Sequence, residues 1–282
     1  MVLLALTGCG GGKSSTGDPA YSFTAGNWLV RGASTPWEPC AIYLRGAFAA
    51  SGSTLSANGD FKLPSSFSTP NPGCASSGDT GDADLANVAF TGSIGSNNLT
   101  LTSPDLGSIN IAYHAYSGSV ITLNATQDSS THFGGTYSLT AGLRSAADNG
   151  NVDGVLVASV TGNWDGSVTS AENTQHEIEI ALVQSDNATT SSTATLPAGA
   201  FPLSGTLAVH GMPCFAYGSI DPTQSYIQGE ILVLYADAGG ATIALRGYLP
   251  GPPTATTLTV TSYSGGEACT EFGSQGSFSR GQ

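Results

Sequence analysis

Gly26-Asn27-Trp28, read GNW, returns as Gly162-Asn163-Trp164, and an alternating β-pattern follows each copy. The repetition continues in the same order with Pro72-Gly73-Cys74 against Met212-Pro213-Cys214, and with Phe90-Thr91-Gly92-Ser93-Ile94 against Ile227-Gln228-Gly229-Glu230-Ile231. It ends with Gly118-Ser119-Val120-Ile121-Thr122-Leu123 against Gly240-Ala241-Thr242-Ile243-Ala244-Leu245. Self-similarity held in one order over this length reads as a duplicated domain rather than a solenoid of small units. The copies are assigned to residues 21–158 and 159–282.

In the second copy the strands can be enumerated. Candidates are Trp164–Val168, His176–Gln184, Phe201–His210, Cys214–Ile220, Tyr226–Tyr235, Ala241–Tyr248, Thr257–Tyr263 and Ser277–Arg280, separated by turn chemistry such as Asp237-Ala238-Gly239-Gly240. His176, Ile178, Ile180 and Leu182 fall on one face of their strand, and Gln175, Glu177, Glu179 and Ala181 on the other. Ile231-Leu232-Val233-Leu234-Tyr235 is apolar on both faces, as expected if the other copy covers it. The fold class is all-β: two tandem antiparallel domains of about eight strands, each a β-barrel or a β-sandwich, with the barrel preferred.

Composition agrees with this reading. Among 282 residues 38 are glycine and only 10% are charged, a balance suited to many strands with tight turns. Seven basic residues against 20 acidic ones give a net charge of −13, so nucleic acid is excluded as a partner.

The N-terminus raises a separate question, because Leu6-Thr7-Gly8-Cys9-Gly10-Gly11-Gly12-Lys13-Ser14-Ser15 looks like a phosphate loop. That loop requires G-x-x-x-x-G-K-[ST], and its first glycine falls on Thr7; linker residues, not a helix, follow. Leu6-Thr7-Gly8-Cys9, preceded by the apolar run Val2-Leu3-Leu4-Ala5, instead resembles the lipobox of bacterial lipoproteins. The resemblance implies that residues 1–8 are a signal peptide segment and that Cys9 is the lipid attachment site. Residues 9–20 then form a flexible tether, and the chain belongs to the cell envelope, anchored to a membrane, with the outer membrane favoured. The apolar core is short and no basic stretch precedes it, so the natural start is expected upstream.

With Cys9 assigned to lipid, Cys40, Cys74, Cys214 and Cys269 remain, and four cysteines can pair in three ways. Export favours disulfides, and short loops within one domain favour Cys40 with Cys74 and Cys214 with Cys269. His114, His132, His176 and His210 are scattered without ligand spacing, so neither a metal nor a cofactor is expected. Asp79, Asp82 and Asp84, and the run Asp148-Asn149-Gly150-Asn151-Val152-Asp153-Gly154, read as turns rather than calcium loops.

A Gly-x-Trp at the entry to the first strand, with an Arg near the end of the last, resembles the lipocalin and wider calycin pattern. The resemblance implies that Trp28 and Trp164 close one end of each barrel, and that Arg280 packs across Trp164. The first copy, whose last strand is expected at Gly154–Ser159, has no such Arg.

No G-x-S-x-G elbow is present. Glu177 and Glu179 point the same way from one strand, the arrangement of a carboxylate pair for glycoside hydrolysis, but beside Gln175 on the polar face of an amphipathic strand they read more readily as solvated. The expectation is therefore a non-catalytic binding or structural role, with a small apolar ligand or an envelope protein as partner. The alternative is an exported hydrolase acting on glycans. If a barrel holds an apolar ligand, the second copy is favoured, with Ser185–Ala200 as a lid over its open end.

Overall fold

The computed structural model describes residues 21–33, 42–63, 83–107, 109–111, 114–116, 118–141, 144–267, 269 and 272–281. The first copy contains β1 (Gly26–Ala33), β2 (Ile42–Ser51), β3 (Thr54–Leu63), β4 (Ala83–Gly95), β5 (Asn98–Thr102), β6 (Ile109–Ile111), β7 (His114–Tyr116), β8 (Ser119–Ser129), β9 (His132–Ala141) and β10 (Arg144–Leu156). β6 and β7 form a separate hairpin; the other eight strands close into a barrel in the order β1-β2-β3-β4-β5-β8-β9-β10, with β10 returning to β1. Each strand therefore pairs with its neighbours in the chain. The Asp148–Gly154 run lies in β10, not in a loop as its turn-like composition implied: Asn149, Asn151 and Asp153 point outward and Val152 inward.

The second copy repeats the plan with β11 (Gly162–Ser170), β12 (Gln175–Gln184), β13 (Phe201–His210), β14 (Tyr217–Ile220), β15 (Tyr226–Gln228), β16 (Ile231–Asp237), β17 (Ala241–Tyr248), β18 (Thr257–Glu267) and β19 (Phe272–Arg280). β14 and β15 both lie between β13 and β16 and share one stave, and β11 closes against both β12 and β19. Both domains are thus antiparallel barrels, which decides between barrel and sandwich.

Two details of the repeat change. The run expected as one strand, Tyr226–Tyr235, is broken by a hairpin turn at Gly229-Glu230, where Gly229 takes φ +55°. Phe90–Ile94 lies inside β4, whereas Ile227–Ile231 spans that turn, so these segments are not equivalent. Gly118–Leu123 and Gly240–Leu245, by contrast, both open the sixth stave of their barrel.

Inside the first barrel, Trp28, Val30, Phe48, Leu55, Phe61, Phe90, Leu101, Leu123, Phe133 and Tyr137 pack as one core. Inside the second, Trp164, Ile178, Ile180, Leu182, Leu207, Leu234, Leu245 and Phe278 do the same. His176, Ile178, Ile180 and Leu182 are all at most 2% exposed, as their alternation requires. Each fully buried Leu, Ile or Phe contributes about 1.5–3 kcal/mol of transfer free energy, set against the entropy lost in ordering the chain.

The barrels are docked. Leu29 and Tyr43 point out of the first barrel and join the core cluster of the second, while their neighbours Trp28 and Leu44 point into their own. Period-two alternation thus gives β1 and β2 two apolar faces, one for each barrel.

Candidate functional site

Trp28 and Trp164 have matching surroundings. Both are fully buried, and each indole Nε1 donates to the backbone carbonyl four residues earlier, Trp28 to Thr24 and Trp164 to Val160, both at 2.9 Å. Register places Leu156 opposite Trp28 and Arg280 opposite Trp164. The Arg280 guanidinium lies 5.8 Å from the centroid of Trp164 and donates to the carbonyls of Thr161, Ser159 and Ala255. Gly162 holds φ +141°, and a Cβ there would sit 3.1 Å from Arg280 Nε; a Cβ on Gly26 would sit 2.9 Å from Leu156 Cδ1. The glycine two residues before each Trp therefore clears space for the last strand. In the first barrel the covering group is aromatic: Phe23 stacks on Trp28 at 4.8 Å, and Phe133 lies at 5.3 Å.

Up-and-down connectivity determines which loop meets which end. β12 runs toward the Trp164 end and β13 leaves from it, so residues 185–200 stand beside Trp164 and Arg280 rather than over the opposite mouth. They pack on the first barrel, with Ala198 N donating to Asn87 Oδ1 (2.7 Å) and Asn58 Nδ2 to Thr190 O (3.4 Å). This corrects the lid expectation: the segment is interface. The opposite mouth is crossed by the Cys214–Cys269 disulfide, whose Cα atoms are 5.0 Å apart. It joins the β13–β14 connection to the β18–β19 connection, staves on opposite sides of the barrel, with Met212 and Phe215 buried beside it.

The dock itself centres on the Gly229-Glu230 turn. Asn27 Nδ2 donates to Gly229 O (2.8 Å), and Gly229 N donates to Asn27 Oδ1 (2.6 Å). Arg45 pairs with fully buried Glu230 at 3.0 Å and lies 5.0 Å from the Tyr43 ring centroid. Gly199 reaches φ +76°, and a Cβ there would collide with Asn58 O. The sequence pattern assigns none of these groups to an interface. Asn27 belongs to the repeated tripeptide, but its counterpart Asn163 is exposed.

Glu177 and Glu179 are exposed on the outer face of β12. His210 reaches Glu179 at 3.3 Å, with both side chains more than half exposed. This is a solvated cluster on a convex wall. His132 is held more firmly: its Nδ1 lies 2.7 Å from Asp128 and its Nε2 2.7 Å from Asp153. Partial burial pulls its pKa down, but the hydrogen bonds and charges of the two carboxylates outweigh that and hold it above the ordinary value. Among the described residues no group of three or more His, Cys, Asp or Glu is arranged to hold a metal.

One surface stands apart. On the outer wall of the first barrel, Ser93, Thr100, Asn124, Thr136 and Asn151 lie side by side across β4, β5, β8, β9 and β10. Thr91, Thr102, Thr122, Ser138 and Asn149 form a second row beside them. These side chains are exposed or half-buried, and Ser93 and Thr100 hydroxyls meet at 3.0 Å. A groove of about 340 Å³ runs over Asn98, Thr100, Asn124, Thr126 and Thr136, floored by Leu99, Ala125 and Gly135. The alternation Ile121-Thr122-Leu123-Asn124-Ala125-Thr126 carried the signal in the sequence, but only the register between neighbouring strands aligns five of them.

Cys9, Cys40 and Cys74 lie outside the described residues, so the lipid site and the first disulfide rest on the sequence. Comparison with known protein families and with characterised proteins finds no match for the chain.

Proposed function

We propose that the chain is a lipid-anchored envelope protein with a non-catalytic binding or structural role, engaging its partner through its outer surface. The observation that carries this is the construction of the body. Among the described residues the inward side chains of each barrel pack into one buried cluster, and the second barrel is crossed by a disulfide at one mouth and docked by the first at the other. Inward side chains packed in this way favour ordinary core over an apolar-ligand site, and a docked pair of barrels suits presentation of a surface at the end of a tether. The Gly162, Trp164 and Arg280 cluster supports kinship with the lipocalin-like barrels in architecture.

The anchor is tested by expressing the protein from its natural start and fractionating it beside Cys9→Ser. Membrane retention of the parent and release of the variant are expected, because two or more acyl chains hold stably where one binds only marginally. Equal release of both refutes the anchor. Titration of the whole chain with a fluorescent apolar probe is expected to give no saturable change in Trp emission; saturable quenching returns the ligand to the lumen.

A further inference from the structure

We infer that the outer wall of the first barrel, centred on β8 and opposite the face docked to the second barrel, binds an uncharged, hydroxyl-rich chain: a neutral oligosaccharide. This rests on the binding reading above and specifies its surface and ligand class. Every side chain in the row Ser93, Thr100, Asn124, Thr136, Asn151 both donates and accepts hydrogen bonds and bears no charge. Rows repeat about every 6.7 Å along the strands and about every 4.8 Å between them, a lattice of donors and acceptors on one wall. A shallow, open groove of about 340 Å³ over Asn98, Asn124 and Thr136 crosses this wall.

The same surface offers little to other ligands. Ser93, Thr100, Asn124, Thr136 and Asn151 are each paired with a strand on both sides, so the row offers no free strand edge on which a peptide could add. Among the described residues the exposed large apolar side chains are Val183, Tyr217 and Phe272, all on the second barrel, so an apolar peptide or lipid finds no anchor here. The rows carry no Lys or Arg, and a chain of net charge −13 repels polyanions. A neutral polyol loses no charge interaction on approach, and each of its hydroxyls can meet either a donor or an acceptor. Neutral contacts of this kind are individually weak, so affinity near about 1 mM is expected.

The test titrates the full-length Cys9→Ser protein by calorimetry with neutral hexasaccharides: α-1,4- and β-1,3-glucan, β-1,4-mannan and β-1,4-linked N-acetylglucosamine. A polygalacturonate hexamer serves as the anionic comparison. At least one neutral hexamer should bind near about 1 mM. Asn124→Leu with Thr136→Val should weaken it about 10-fold at an unchanged unfolding midpoint, while Asn124→Thr with Thr136→Ser keeps most of it. The inference is overturned by no neutral binding below about 10 mM, by undiminished binding in the Leu/Val variant, or by equally tight binding of polygalacturonate. New reducing ends in the mixture would refute the non-catalytic reading instead. Retention of the parent protein in membranes with no sugar bound would refute this inference alone.

Discussion

The repeated Gly-Asn-Trp tripeptide supplies its own controlled experiment. Asn27 is 2% exposed, and its amide makes two hydrogen bonds to the backbone of Gly229 across the dock, whereas Asn163 occupies the same place in the second copy and is exposed. Asn27→Ala removes both bonds and leaves the N–H and C=O of a buried glycine without those partners. Each orphaned group costs about 1–3 kcal/mol, and a water entering the space left by the side chain recovers part of that, so the net loss should be about 2–4 kcal/mol. For a body of this size that is a fall in Tm of roughly 5–15 °C. Asn163→Ala, which touches no such pair, should stay within about 0.5 kcal/mol. Guanidinium unfolding of the two variants beside the parent measures both. Equal losses in the two variants, or an Asn27→Ala midpoint indistinguishable from the parent, would refute the claim that the interface depends on this amide.

Three further perturbations address other parts of the structure. Glu230→Ala strands the Arg45 guanidinium in the interface and should cost about 3–5 kcal/mol, while the double variant Arg45→Met, Glu230→Leu recovers most of it; a double-mutant cycle measures the coupling. Arg280→Ala removes the contact over Trp164 and the bonds to the Ser159, Thr161 and Ala255 carbonyls, for an expected loss of about 1–3 kcal/mol in chemical unfolding, with Arg280→Lys restoring less than half because it lacks the planar fork. His132 has a folded-state pKa above its unfolded value, so its contribution is fully present below about pH 6.5 and lost as pH rises through the folded pKa. The stability gap between the parent and His132→Gln should therefore be larger at pH 5.5 than at pH 9, modest throughout because the site is a third exposed, and a gap that grows with pH would contradict the arrangement.

Much of the strand inventory was legible because it is local. Phe201–His210 and Ala241–Tyr248 were read with the bounds that the structure has, since alternation and flanking Gly and Pro are one-dimensional signals. The errors arose where a local signal had two meanings. Gly229 inside an apolar run reads equally as a strand glycine or a turn, and Asn-Gly-Asn in β10 reads as a loop until β9 pairs all three residues and β1 pairs Asn151 on the other side. The position of Ser185–Ala200 was implicit in the strand count, because in an up-and-down barrel every second connection returns to the end where the first strand began.

By itself the sequence determined the all-β class, the division into two units of about eight strands and the inner face of His176–Gln184, and it favoured the pairing of Cys214 with Cys269, because these rest on periodicity, order and loop length along the chain. Only the tertiary structure decided what the outer faces do. Leu29, Tyr43 and Arg45 on one side of the first barrel, and Thr100, Asn124 and Thr136 on the other, alternate with core residues in the same way. Their fates differ because closing a sheet brings distant strands side by side and turns one wall toward the second barrel and the other toward solvent. The two asparagines of the repeated tripeptide are a direct case: identical neighbours put both on an outer face, and the approach of a turn two hundred residues away buries one and leaves the other in water.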